Sequence, residues 1–177
     1  MGAMTLEILE MPLRHARRAD LPRLDALIAA SARGLCAAQY SPEQIESALG
    51  SLFALDEHLI DDRTFYLVDG GDGLAACGGW SKRTARAGVI TDPRVTPAEL
   101  RGFFVHPDLA RRGLGRRIFM ACRNAAEAAG FKQFEASATL TAEPFLTCLG
   151  FQRHERAEHV LAGGVTVPMI RMTRRVS

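Results

Sequence analysis

Paired cysteines are missing from this chain. Cys36, Cys77, Cys122 and Cys148 are widely scattered and form no Cys-x-x-Cys pair. Neither a zinc site nor a disulfide framework is expected, and the thiols are expected to be reduced. His15, His58, His154 and His159 show no metal-ligand spacing, so no metal is expected. No apolar run is long enough to span a bilayer. No basic segment followed by an apolar core opens the chain, so no signal peptide is expected, and the protein reads as cytoplasmic. An excess of one charge is also missing. The balance of 22 Lys and Arg against 20 Asp and Glu leaves a net charge of +2, too small to argue for a nucleic-acid partner. Internal repeats, low-complexity tracts and linkers are absent. What remains is 177 residues, 47% of them hydrophobic and 24% charged, enough for one well-buried domain over residues 1–177.

Met1-Gly2-Ala3-Met4 suggests a natural start at Met4 or later. Leu13 to Arg17 is a candidate strand. Asp20 is placed to cap the next helix, whose first turn takes Pro22 and whose apolar face carries Leu21, Leu24, Leu27 and Ile28. Ser41-Pro42-Glu43-Gln44 has the form of a capping box opening a second helix. Thr64–Val68 and Leu74–Trp80 read as strands of a hairpin turned at Asp69-Gly70-Gly71-Asp72-Gly73. Gly78 and Gly79 imply a bulge or a close backbone approach. Ser81 to Pro97 is polar and reads as an irregular loop. Glu99 to Val105 is the next strand. A helix and the strand Phe131–Ala138 follow, making a βαβ unit with parallel strands. Ala142–Leu149 is a short helix. Phe151–Val160 and Val165–Met172 form a second hairpin, turned at Gly163-Gly164. The order β-α-α-β-β-β-α-β-α-β-β is α/β, with a mixed, largely antiparallel sheet flanked by helices.

The chain is organised around Phe103-Phe104-Val105-His106-Pro107-Asp108-Leu109-Ala110-Arg111-Arg112-Gly113-Leu114-Gly115-Arg116-Arg117. It reads as a strand, a basic glycine-containing loop and a helix start. Leu114, Ile118, Cys122, Ala125 and Ala129 recur at helical spacing, and Gly130 stops the helix. A helix N-terminus exposes unpaired N–H groups and partial positive charge. Gly113 and Gly115 let a ligand lie against the backbone. Arg111, Arg112 and Arg116 add full charge, so a phosphate or pyrophosphate fits here. The loop lacks the lysine and hydroxyl of a Walker A motif. It also lacks the third glycine of a dinucleotide fingerprint. A solvated basic turn opening an ordinary helix is the plainer alternative.

Val105-His106-Pro107, Arg111-Arg112 and Gly113-Leu114-Gly115 together resemble the acyl-CoA signature of the GCN5-related N-acetyltransferases. In that family the motif is Arg or Gln, two residues, Gly, one residue, then Gly or Ala; Ala110 holds the first position here, with Arg111 next to it. The resemblance implies a central βαβ unit whose fourth and fifth strands splay apart around pantetheine. It implies acetyl-CoA as co-substrate, with Phe103, Phe104, Val105, Arg111, Arg112, Gly113, Leu114, Gly115 and Arg116 as its binding residues. It implies transfer of the acetyl group to a small-molecule or peptide amine in a ternary complex, and a homodimer is in keeping with it; from the charge balance and the lack of a long apolar run, neither nucleic acid nor membrane is expected as partner. The resemblance continues in Ala142-Glu143-Pro144-Phe145-Leu146-Thr147-Cys148-Leu149-Gly150-Phe151, where members often carry a tyrosine that protonates the departing thiolate. Leu146 stands at that position and cannot donate a proton. A CoA-binding sensor with little catalysis is therefore the second reading. Some members place a glutamate base six residues before the position of Val105, and Glu99 sits there. A solvated carboxylate paired with an arginine is the alternative for Glu99. His106 reads as structural, Trp80 as core or pocket lining, Tyr40 as a pocket candidate, and Asp56 and Glu57 as an attraction for a cationic amine or a helix's wet face.

Overall fold

The structure, a computed structural model, describes residues 7–84 and 88–176. The expected start at Met4 falls outside them. A helical turn at residues 7–10 precedes β1, Leu13–His15. Then come α1 (Leu21–Leu35), α2 (Pro42–Leu49), the short α3 (His58–Asp61), β2 (Phe65–Asp69), β3 (Leu74–Ser81) and β4 (Ala98–Val105). They are followed by α4 (Leu114–Ala128), β5 (Gln133–Thr139), α5 (Glu143–Cys148), β6 (Gln152–Val160) and β7 (Thr166–Arg175). The seven strands form one sheet in the order β1-β2-β3-β4-β5-β7-β6. Every neighbouring pair is antiparallel except β4–β5, the parallel pair of the expected βαβ unit. The architecture is mixed α/β with a largely antiparallel sheet flanked by helices.

Local chemistry accounts for most of the elements. Ser41 and Gln44 form the capping box: Gln44 N–H donates to Ser41 Oγ at 3.2 Å and Ser41 N–H to Gln44 Oε1 at 2.9 Å. The β2–β3 turn closes through Gly70 N–H to the Gly73 carbonyl at 2.9 Å, with Gly71 at φ +89. Asp20 behaves differently from the expectation. Its helical backbone (φ −82, ψ −10) keeps its side chain from capping α1. The carboxylate instead takes the Arg14 guanidinium through two bonds of 2.8 Å and the Arg17 amide at 2.8 Å. The Asp20 N–H donates back to the Arg17 carbonyl at 2.8 Å and closes a 3₁₀ turn at Arg18–Asp20, and β1 stops at His15, two residues short of the expectation.

The 81–97 segment is more ordered than its composition suggests. Ser81 ends β3, Arg83 bridges Ile90, and Thr91 N–H reaches the Lys82 carbonyl at 2.8 Å. The Arg83 guanidinium fixes this hairpin by bonding Asp62 at 2.6 and 2.7 Å and the Gly88 carbonyl at 2.9 Å. Its order comes from a polar network to a distant residue, which no apolar alternation announces. Residues 85–87 lie outside the described set.

Each face of the sheet carries its own core. Leu114, Ile118, Phe119 and Cys122 of α4 pack with Phe134, Ala136, Ile170 and Met172 on one face. Leu24, Leu27, Ile28 and Ala32 of α1 pack with Ile45, Phe65, Leu67 and Met169 on the other. Along β4, Ala98, Leu100, Phe103 and Val105 belong to the α4 side and Phe104 to the α1 side. Trp80 is core, with its ring edge-on to Phe131 at 5.6 Å.

Candidate active site

The parallel pair β4–β5 separates partway along. Its register covers only Ala98 with Phe134, Glu99 with Glu135 and Leu100 with Ala136. Beyond that point β4 stays on β3 as far as Val105, while β5 stays on β7 as far as Thr139. A bulge marks the parting. Cys77 faces Phe104 and Gly79 faces Arg101, so β4 carries one extra residue there. Gly102, at φ +66, supplies the conformation. Gly78 and Gly79 accommodate the crowding that results: a Cβ on Gly78 would sit 2.9 Å from the Phe103 ring, and one on Gly79 2.6 Å from the Phe65 ring. The result is a gap between residues 101–105 and 137–139, the splay that the family resemblance implied.

Backbone direction follows from the ladder. His106 N–H donates to the Ala75 carbonyl at 2.9 Å, across to β3. Alternation then turns the Val105 N–H the other way, into the gap. There it meets Ser31 Oγ on α1 at 3.3 Å. Helix α1 lies close over the exit of β4, since a Cβ on Gly34 would be 2.5 Å from Pro107 Cγ.

The loop above the gap turns into α4 through two left-handed residues, Arg111 at φ 64 and Gly113 at φ 85. Gly113 is the N-cap and no side chain caps the helix there. The amides of Leu114, Gly115 and Arg116 have no partner inside the helix, as in any first turn. Arg111, Arg112 and Arg116 are exposed, and among the described residues none of the three makes an ion pair. Arg117 points elsewhere and holds the Ile8 and Met11 carbonyls at 3.0 and 2.9 Å. Leu114 is buried, so only its backbone faces the loop. The two glycines have different reasons. A Cβ on Gly113 would meet nothing within 4 Å, so the requirement is backbone conformation. A Cβ on Gly115 would lie 3.0 Å from Phe145 Cζ, so the requirement is packing of α4 on α5. His106 does a structural job, its Nδ1 accepting from Asp108 N–H at 3.3 Å.

Leu146 is 5% exposed and belongs to the α4-side core. Phe145 beside it lies 6.2 Å from the Phe103 ring. The Tyr40 hydroxyl donates to the Pro168 carbonyl at 2.7 Å and accepts from Leu140 N–H at 2.8 Å. Both functions of that hydroxyl are used, and burial raises its pKa. Tyr40 therefore staples the α1–α2 connection to the ends of β5 and β7.

Glu99 sits on β4 directly opposite Glu135. Glu99 Oε2 accepts from Arg101 Nε at 3.0 Å, and Arg101 also holds Asp56 Oδ2 at 3.0 Å. The arginine-paired arrangement is therefore present around Glu99. Asp56 also accepts from His58 N–H at 3.0 Å, and Glu57 pairs with Arg18 at 2.7 Å. Glu135 holds Arg171 at 2.9 Å, and Arg171 reaches Glu155 at 3.5 Å. Sequence reasoning missed Ser31, Arg101 and Gly102. Ser31 has a signal, being the polar residue in the helical series Leu24, Leu27, Ile28, Ser31. Gly102 has one too, as a glycine inside a strand. Among the described residues no cluster of three or more His, Cys, Asp or Glu side chains is placed to hold a metal ion. No helix among them is long and apolar enough to cross a membrane.

A sheet split beside a helix N-terminus, carried on this strand order, defines the acetyltransferase class of fold. The acetyltransferase (GNAT) domain family matches residues 36–173, and the chain belongs to that family of N-acetyltransferases. Among solved structures, a GCN5-related N-acetyltransferase from Rhodopseudomonas palustris superposes with a TM-score of 0.72 at 21% identity, covering 93% of this chain and 95% of that one. The PaiA N-acetyltransferase from Thermoplasma acidophilum, in complex with coenzyme A, gives a TM-score of 0.66 at 15% identity over 94% and 99%. YncA from Salmonella typhimurium, a putative acetyltransferase with its cofactor acetyl-CoA, gives 0.63 at 14% identity over 95% of each chain. No curated protein matches the chain by sequence.

Proposed function

We propose that residues 1–177 act as one acetyltransferase domain that transfers an acetyl group from acetyl-CoA to the nitrogen of a small-molecule or peptide amine. One observation carries this reading: the strand β4 that parts from β5 and an uncapped helix N-terminus meet through Phe103, Phe145 and Gly115, and three exposed arginines flank that terminus. An extended molecule with an anionic head and an amide-bearing arm matches that pairing. The arm runs along Phe103, Phe104 and Val105. The pyrophosphate rests on the amides of Gly113, Leu114, Gly115 and Arg116, with Arg111, Arg112 and Arg116 supplying charge.

The reaction forms one N–C bond and breaks one C–S bond. The neutral amine attacks the thioester carbonyl carbon, and a backbone N–H of β4 stabilises the oxygen as charge develops on it. The amine's proton goes to Glu99 directly or through a water, and the thiolate leaves with a proton taken from solvent. Glu99 must share its carboxylate with Arg101 to do this. Asp56, held by the same Arg101, and Glu135, opposite Glu99, add negative charge around Glu99 that favours a cationic amine.

A CoA-binding sensor is the second reading, and two observations favour it. Leu146 offers no acid, and the Tyr40 hydroxyl is already committed to the Pro168 carbonyl and the Leu140 amide. Titration calorimetry with acetyl-CoA, followed by thiol release in the presence of an amine panel, separates the two readings. Saturable binding near one per chain with turnover of an amine supports the enzyme. Tight binding with no turnover of any amine supports the sensor, and no binding at millimolar acetyl-CoA defeats both.

A further inference from the structure

Ser31 interrupts the buried stripe of α1. Leu24, Leu27 and Ile28 precede it on the same face, and Ser31 is itself only 4% exposed. A hydroxyl in such a place is costly unless it is paired. Its Oγ accepts one bond, from Val105 N–H at 3.3 Å, which is long for a main-chain donor. Among the described residues its own O–H finds no acceptor. Ser51 shows the ordinary alternative, returning its proton to the carbonyl four residues back at 2.9 Å. Ser31 makes no such bond to Leu27. A buried donor without an acceptor calls for an explanation, and this one stands beside the amide that β4 turns into the gap.

We propose that Ser31 belongs to the acyl-CoA site and donates its hydroxyl proton to a carbonyl of the pantetheine arm. The inference rests on the acyl-CoA reading above. A carbonyl oxygen has two lone pairs. Set between Val105 N and Ser31 Oγ, it accepts from both, and the long Val105–Ser31 bond gives way to two bonds to the ligand. Ser31 is then a binding and positioning residue for the arm, contributed by a helix on the opposite side of the sheet from α4.

The test compares two ligands by calorimetry: CoA, and adenosine 3′,5′-bisphosphate, which has no arm. Ser31→Ala is expected to weaken CoA binding about threefold to tenfold, as for one lost hydrogen bond, and to leave the bisphosphate unchanged. Ser31→Cys, close in size and a weak donor, carries the comparison if the alanine variant fails to fold, and is expected to weaken CoA in the same selective way. Unchanged or tighter CoA binding in a folded variant overturns the proposal, because the hydroxyl then does no more than cap the Val105 amide. Equal weakening of both ligands overturns it too. Wild-type protein that binds neither ligand defeats the acyl-CoA reading itself, a result distinct from failure of the Ser31 assignment.

Discussion

Gly113→Ala separates a ligand cradle from an ordinary helix start, because the chain contains its own matched control. Gly113 has φ 85 and ψ 1, Gly163 has φ 80 and ψ 5, and at both a Cβ would meet nothing within 4 Å. Alanine at either position meets the same left-handed strain, about 1–2 kcal/mol. For a chain of this size each kcal/mol lowers Tm by about 2–4 °C, so both variants should melt about 2–8 °C below wild type. Binding should part them. Gly113 lies in the proposed pyrophosphate cradle, and Gly163 in the β6–β7 turn. Disturbing one charge-assisted hydrogen bond costs about 1.5–3 kcal/mol, so Gly113→Ala should weaken CoA about 10- to 150-fold. Gly163→Ala should leave CoA affinity unchanged. Thermal unfolding and CoA calorimetry on the pair decide the matter. Equal losses of Tm with wild-type affinity in both would refute the cradle and return the loop to a solvated turn.

Glu99→Gln should lower turnover about 10²–10⁴-fold if the carboxylate takes the amine's proton, with CoA affinity nearly unchanged; a wild-type pH–rate profile would remove Glu99 from the chemistry. Gly115→Val should cost stability through contact with the Phe145 ring, and Phe145→Ala should recover part of that loss. Additive effects in the double-mutant cycle would contradict the packing account. Asp20 is held below the usual carboxylate range by its bonds to Arg14. A carboxylate depressed in the folded state stabilises above its unfolded value of 3.8 and loses that contribution as pH falls through the folded value. Asp20→Asn should therefore cost about 2 kcal/mol at neutral pH, and the deficit should shrink below about pH 4 in denaturant titrations; a constant deficit across pH would show that charge is irrelevant there.

What the sequence made legible was local. The Ser41–Gln44 box, the Asp69–Gly73 turn and the strand–loop–helix around Gly113 each rest on chemistry within a few residues, and each stands where the sequence placed it. Asp20 was misjudged because its partner Arg14 lies outside the helix and wins the carboxylate from the cap position. The 81–97 segment was judged irregular because its order comes from Arg83 reaching Asp62. The site divides the same way. Its loop was readable, whereas the Arg101 bridge between Glu99 and Asp56 and the meeting of Ser31 with Val105 exist only once distant elements pack.

The path from β4 to α4 breaks local rules three times within twelve residues, at Gly102, Arg111 and Gly113, all with positive φ. The two glycines can adopt that conformation freely. Arg111 cannot, and a left-handed non-glycine residue is costly. Such strain tends to cluster where function needs a particular backbone. Gly102 parts β4 from β5 and so creates the gap. Arg111 and Gly113 turn the chain into α4, whose first turn packs through Gly115 on Phe145, the ring beside Phe103 of β4. Neither feature alone would hold a molecule with both an anionic head and an amide-bearing arm: the gap lacks charge for the head, and the helix terminus lacks length for the arm. On the proposed reading the strain at Arg111 has a physical use, since the turn it completes connects the strand that leaves β5 to the helix terminus that would take the anionic head.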